Sequence, residues 1–183
     1  MINPFLIGDK IYLRAPEPGD EVIYSLSQNH PDPRENLFYA LPSSVAVHRE
    51  NIKQQEADPN TIPFTICTIN PDKPVGNTAL FRIDWVGRMA VFYIAVAESE
   101  NWSKGYGQEA TRLMVDYVFD TLNLNRLQLH VFTGNQRAIK VYQKVGFEIE
   151  GTLRQAMFHK SKYCDFYVMG ILAKDWKKIN KRK

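Results

Sequence analysis

Cysteine is scarce in this sequence. Cys67 and Cys164 are the only two in 183 residues. Their separation fits neither a metal-ligand spacing nor a disulfide framework, so both read as small apolar strand residues in a reducing compartment. Long hydrophobic runs are missing too. The longest, Met89 to Ala97, falls far short of the roughly 20 residues a membrane helix needs. Residues 1–10 lack a basic stretch followed by an apolar one, so no signal peptide is expected and the chain is placed in the cytoplasm. There is no low-complexity tract, no internal repeat and no linker long enough to divide the chain. A basic surface is also lacking. The net charge is +3, but the last ten residues hold six basic groups and one acid, which leaves −2 for the rest. Nucleic-acid binding wants a basic stripe on the folded surface. Residues 174–183 read instead as a solvated basic tail behind a domain of residues 1–173.

What is present is an ordinary globular balance of 44% apolar and 23% charged residues, enough for one substantial core. Alternation in Lys10 to Arg14 predicts a first strand, which Pro16, Pro18 and Gly19 end. Asp20 is placed to cap a helix to about Gln28, His30 to Pro33 reads as a loop, and a helix runs from about Ser44 to Ala57. Pro63 to Ile69 and Val75 to Asp84 form a hairpin pattern. Met89 to Ala97 is apolar on both alternating faces, as a covered central strand would be. A helix spans about Gly107 to Thr121, with Ala110, Leu113, Met114, Tyr117 and Val118 at helical spacing. Arg126 to Phe132 is a strand, Gln136 to Val145 a helix closed by Gly146, and two strands end the fold, about Phe147 to Phe158 and Tyr163 to Leu172. Hairpins mixed with helical crossovers define a single α/β (α+β) domain with a mixed sheet.

Two stretches carry chemistry. In the first, the central strand runs through Glu98 into Trp102-Ser103-Lys104-Gly105-Tyr106-Gly107, where a helix begins. First-turn amides have no intrahelical partner, and the positive end of the helix dipole lies there. Gly105 and Gly107 let main-chain N–H groups come close to a phosphate, and Lys104 adds a cation. The pattern is neither a nucleotide P-loop nor a dinucleotide fingerprint. Alone, it is equally a tight turn with no ligand. The second stretch is Asn135 to Phe147. Asn135, Ala138 and Tyr142 are three and then four apart and share a helical face. That face offers an amide, a small residue that leaves room for a ligand chain, and a phenol able to deliver a proton. By position alone Tyr142 is also readable as a core aromatic with its hydroxyl at solvent. Ile139 and Val145 face the core.

Together the two stretches resemble the GCN5-related N-acetyltransferase (GNAT) superfamily, in particular its ribosomal-protein N-terminal and spermidine acetyltransferase branch. Residues 102–107 are similar to that branch's W-G-K-G-Y-G pattern, and residues 135–147 to its N-x-R-A-I-x-x-Y-x-K-x-G-F pattern. Leu13-Arg14, Ile83-Asp84-Trp85 and Glu150 to Arg154 fit as well, so the likeness runs along nearly the whole chain. The resemblance implies a mostly antiparallel sheet splayed after a bulge at the central strands, with helices on both faces. It implies acetyl-CoA as acyl donor and no metal. Pantetheine would lie along Ile94, Ala95 and Val96, and the diphosphate on the amides of Lys104, Gly105, Tyr106 and Gly107. Asn135 and Ala138 would meet the cofactor arm, and Tyr142 would be the general acid at the sulfur. The acceptor would be a primary amine on a protein N-terminus, a polyamine or another small amine, attacking the acetyl carbonyl directly. A homodimer is a further implication of likeness alone.

The sequence departs from the pattern at one chemical position. Where the branch often carries a strand glutamate, this chain has Val91. His130 has a suitable reference pKa for a base, though a structural histidine would fit the same place; Asp84, Glu98 or a water chain are other routes. The acceptor is expected among the first helices and residues 31–43, with the last hairpin closing over it. Asp32 and Glu35 there are readable either as attractors of a cationic amine or as surface acids. The alternative to an enzyme is a CoA-binding module without turnover.

Overall fold

A computed structural model describes residues 3–97 and 99–180 of the chain. The described residues form eight strands and six α-helices, in the order β1 (Leu6–Ile7), β2 (Ile11–Arg14), α1 (Glu21–Asn29), α2 (Pro31–Leu37), α3 (Val45–Ala57), β3 (Ile62–Thr68), β4 (Lys73–Asp84), β5 (Met89–Val96), α4 (Tyr106–Asp116), β6 (Arg126–Phe132), α5 (Gln136–Val145), β7 (Glu148–His159), β8 (Lys162–Leu172) and α6 (Ala173–Asn180). The strands form one sheet in the order β1-β2-β3-β4-β5-β6-β8-β7. All neighbours are antiparallel except β5 and β6. The mixed α/β fold is the one expected.

Helices cover both faces. The main core joins Leu13, Ile66, Leu80, Phe92, Leu127, Leu129 and Met169 of the sheet to Met114 of α4, Ile139 of α5 and Trp176 of α6. On the other face a smaller cluster holds Ile23 and Tyr24 of α1 against Ile52 of α3. Ser44 caps α3 by accepting from the Val47 N–H, and Asn135 caps α5 by accepting from Ala138, at 3.2 and 3.1 Å. Asp20, at the N-cap position of α1, does not cap it. Its carboxylate accepts from the Arg14 guanidinium, Thr65 Oγ1 and the Glu17 amide instead.

Two expectations are corrected. Residues 31–37, read as loop at their start, form helix α2; its prolines sit in the first turn, where a missing N–H leaves no bond unmade. The tail is not wholly solvated: α6 docks, with Trp176 6% exposed, while Lys174, Lys177 and Lys178 stay in water. Lys181, Arg182 and Lys183 lie outside the described residues. The helix expected to about Thr121 does reach it, as α4 to Asp116 and then a π-helical turn over Tyr117–Thr121. Among the described residues, Cys67 and Cys164 are free thiols, and no helix is long and apolar enough to cross a membrane.

Candidate active site

The site begins where the sheet opens. Met89, Ala90 and Val91 pair in parallel with Arg126, Leu127 and Gln128. Beyond that point β5 stays on β4 up to Val96, while β6 stays on β8 up to Phe132. The two central strands therefore part, and residues 92–96 keep a free main-chain edge. The irregular register near this opening falls on β4, between Phe81 and Asp84.

A crevice of about 280 Å³ occupies the opening. Its strand wall is Ile94, Ala95 and Val96, and its floor is the turn of Gly105, Tyr106 and Gly107. Gly105 adopts φ +93°, a left-handed conformation that glycine reaches without strain, and α4 starts on it. The first amide of α4 to find an intrahelical acceptor is that of Glu109, bonded to the Gly105 carbonyl at 3.0 Å. Those of Tyr106, Gly107 and Gln108 precede it and carry the positive end of the helix. The far wall is α5, with Asn135, Ala138 and Tyr142. Asn135 spends its carbonyl oxygen on the cap, which leaves its amide N–H₂ for a ligand. Tyr142 lies edge-on to Phe92 and Phe147. Burial pushes its phenol up to about 12.

Lys104 stands on the outer lip and is exposed, its ammonium 3.3 Å from Asn101 Oδ1. Lys10 reaches the same lip and donates to the Lys104 carbonyl at 3.1 Å. Sequence reasoning missed a third cation, Arg137, whose guanidinium lies 3.7 Å over the Trp102 ring. Trp102 is itself fixed by its indole N–H on the Val96 carbonyl, 3.0 Å away. Both residues belong to the quoted motifs, but contact across such a separation has no linear period. Pro33, Asn36 and Leu37 of α2 also line the crevice, within the segment of residues 31–43 where the acceptor was expected.

The candidate bases are not gathered in. His130 is exposed on β6, opposite Val168, and does not line the crevice. Alternation with Leu129 and Val131 turns it away from the main core. Asp84 Oδ1 accepts from the amides of Val86 and Gly87 and shapes the turn after β4. Glu98 lies outside the described residues. Val91 is 8% exposed. Among the described residues no group of three or more His, Cys, Asp or Glu is placed to hold a metal ion. The acids of α2 face outward: Glu35 is bound by Lys160 at 2.6 Å and approached by His159 at 3.5 Å, which ties the β7–β8 tip to α2.

On the opposite side of β5 lies a second cavity of about 370 Å³ between α1, α3 and the sheet. Tyr39 and Tyr93 share a hydroxyl bond of 2.8 Å at its edge. Burial pushes both phenols up and the His48 imidazole down.

A free strand edge, a cluster of outward amides and a half-buried phenol thus meet in one crevice on a splayed sheet. The profile of the Acetyltransferase (GNAT) domain matches residues 10–148, and this chain belongs to that N-acetyltransferase family. It is 35% identical over 98 residues to the spermidine N(1)-acetyltransferase of Vibrio cholerae, a match over 54% of this chain and 56% of that enzyme, about half its length. It is 28% identical over 177 residues to YdaF, a ribosomal N-acetyltransferase-like protein of Bacillus subtilis, covering 93% of this chain and 95% of that one. The crystal structure of the Vibrio cholerae spermidine N-acetyltransferase with CoA and spermine superposes with a TM-score of 0.83 and 28% identity, over 91% of this chain and 98% of that one.

Proposed function

We propose that this chain transfers the acetyl group of acetyl-CoA directly to a primary amine, on a protein N-terminus, a polyamine or another small amine, and does so in the cytoplasm. One observation carries the reading. Open amides at Tyr106 to Gln108 and the phenol of Tyr142 face a single crevice whose wall is the free edge of β5.

The donor set suits a phosphorylated acyl carrier. The first-turn amides and the helix dipole accept a diphosphate, and Lys10, Lys104 and Arg137 bring positive charge to the same lip. Main-chain groups of Ile94 to Val96 hold a pantetheine arm as an added strand holds. Ala138 leaves space and Asn135 offers its amide. When bound there, acetyl-CoA supplies the activated acyl group. A main-chain N–H on the open edge polarises the acyl oxygen. Tyr142 stays protonated through neutral pH. A free thiol has a reference pKa of about 8.5, below the phenol's, so the hydroxyl acts first as a hydrogen-bond donor to the charge growing on sulfur. No enzyme nucleophile is needed.

Val91 alone favours a CoA-binding module without turnover. A thiol-release assay with acetyl-CoA over an amine panel separates the two. Release dependent on some amine supports transfer, and tight CoA binding with no release on any amine rejects it.

A further inference from the structure

We propose that α2 roofs the acyl end of the crevice and that Leu37 limits the acyl group to acetyl or propionyl size, so that butyryl and longer thioesters are turned away. The inference rests on the acetyl-transfer reading and deepens it, by naming the acyl donors that the same site takes.

Direction along the crevice comes first. A Cβ on Gly107 would lie 3.9 Å from Val96 Cγ2, so the phosphate turn stands beside Val96. The ring of Tyr142 stands beside that of Phe92. From Val96 back to Phe92, the free edge of β5 therefore runs from the phosphate end to the sulfur end. An acyl group on that sulfur lies where β5 and β6 have just parted, after the pairing of Val91 with Gln128.

The roof bridges that split. Leu129 and Val131 of β6 face the main core, so Phe132 turns to the other face of the sheet, with Phe166 opposite it on β8. Phe38, just past α2, is buried against both rings, at 4.9 and 5.4 Å between centroids, and stacks on His159 at 4.5 Å. It takes a left-handed φ of 54° to do so, a conformation that holds only where the surroundings enforce it. The next residue, Tyr39, shares its hydroxyl bond with Tyr93 of β5 at 2.8 Å. Two consecutive residues thus tie the end of α2 to both sides of the split, and the pair of Glu35 with Lys160 pins the helix from outside.

Size then selects. Pro33, Asn36 and Leu37 share one face of α2 and present it to the crevice. Pro33 is buried and Leu37 half-buried. Leu37 adjoins Phe38 and Tyr39, so of the three it is held most firmly at the split. Ile94 of β5 and Val141 of α5 add apolar walls. An acyl chain between α5 on one face of the sheet and α2 on the other has little room to lengthen. In a closed apolar pocket one methylene too many is worth roughly 10–200-fold in discrimination. Butyryl carries two more methylenes than acetyl. Replacing leucine by alanine removes three carbons and makes that room.

The test is calorimetry on the full chain without any amine. The probes are CoA, acetyl-CoA, propionyl-CoA and butyryl-CoA. Each acyl-CoA affinity is divided by that of CoA on the same variant, so changes in the grip on the carrier cancel. In wild type, butyryl-CoA should bind roughly tenfold or more below acetyl-CoA, with propionyl-CoA within about fivefold of it. Leu37→Ala should raise the butyryl-to-acetyl ratio by roughly tenfold or more, and Leu37→Phe should lower the propionyl-to-acetyl ratio by about fivefold. The two variants push in opposite directions, so either one decides if the other does not fold. Tyr39→Phe cuts the tie to β5 but leaves the atoms of the roof in place, and should raise the butyryl-to-acetyl ratio by a smaller factor. Butyryl-CoA binding wild type as tightly as acetyl-CoA, or ratios unmoved by substitution at Leu37, overturns the assignment. Failure of wild type to bind CoA at all would instead overturn the transferase reading beneath it.

Discussion

The ring of Tyr142 stands edge-on to that of Phe92, with centroids 6.4 Å apart and planes at 87°. Phe147 packs against it at 5.9 Å and against Phe92 at 6.4 Å, so the three rings form one cluster. The ring is therefore held by packing and the hydroxyl is free for chemistry. Tyr142→Phe keeps the contacts and removes the donor. Turnover is expected to fall by roughly 10²–10⁴ with little change in acetyl-CoA affinity, the range for a positioned acid. Because burial holds this phenol near about 12, its ionisation should not cut turnover between pH 7 and 9. Thiol-release kinetics against pH, beside calorimetry with CoA, checks both parts. A variant with wild-type turnover would remove Tyr142 from the mechanism.

Gly105 sets the cofactor turn. At φ +93° a Cβ there would have only Lys10 Nζ within 4 Å, at 3.5 Å, so the free protein has room for a small side chain. The cost lies in the backbone, about 1–2 kcal/mol for an L-residue held left-handed. A β-branched side chain would also crowd the amides meant for phosphate. Gly105→Val is expected to weaken CoA binding about tenfold or more, by calorimetry, and to lower Tm by several degrees. Unchanged affinity would place the diphosphate elsewhere.

The sequence made the framework of the site readable because each part has a local signature. Leu127, Leu129 and Val131 alternate, and β6 keeps the bounds that alternation implies. Asn135 and Gly146 are caps, and α5 runs between them as expected. Helix α2 was hidden by Pro31 and Pro33, since proline marks a turn and a first helical turn equally well. Helix α6 was hidden by its lysines, which outnumber the few apolar residues that dock it. His130 shows a different limit. Alternation gives its face correctly, but whether that face is covered depends on distant helices. The second cavity had no signature at all, because His48, Asn77 and Tyr93 come from three separate elements and meet only after folding.

Stability should fall in acid through a defined pair. Glu21 accepts from Arg49 at 2.6 and 3.0 Å and from the Gly19 amide at 2.8 Å, and these bonds lower its pKa to about 2. The folded value lies below the unfolded one, so the stabilising contribution is complete above about pH 4.5 and is lost as pH falls towards 2. Glu35 and Glu150 are lowered too, by Lys160 and Arg126, and add in the same direction. The urea midpoint should drop across that window, and Glu21→Gln should flatten part of the drop. A variant with the wild-type pH profile would show that the Arg49 pair contributes nothing in solution.

The docking of α6 gives the last prediction. Trp176 packs its ring 5.6 Å from Phe119, and its indole N–H donates to Asp116 Oδ1 at 2.7 Å. It therefore seals the end of the main core across α4, and its loss is a core loss although the surrounding sequence is basic and polar. Trp176→Ala should cost about 3–5 kcal/mol, as large-to-small changes at buried aromatics do. Trp176→Phe keeps most of the packing and drops only the bond to a half-buried carboxylate, so it should cost about 1–3 kcal/mol. Neither change touches the crevice, and CoA affinity should hold wherever the fold does. Urea unfolding of both variants orders the two effects. If the alanine variant lost less than the phenylalanine one, the hydrogen bond rather than burial would be what fastens the helix, and the residues from 173 onward would lie looser against the sheet than their contacts imply.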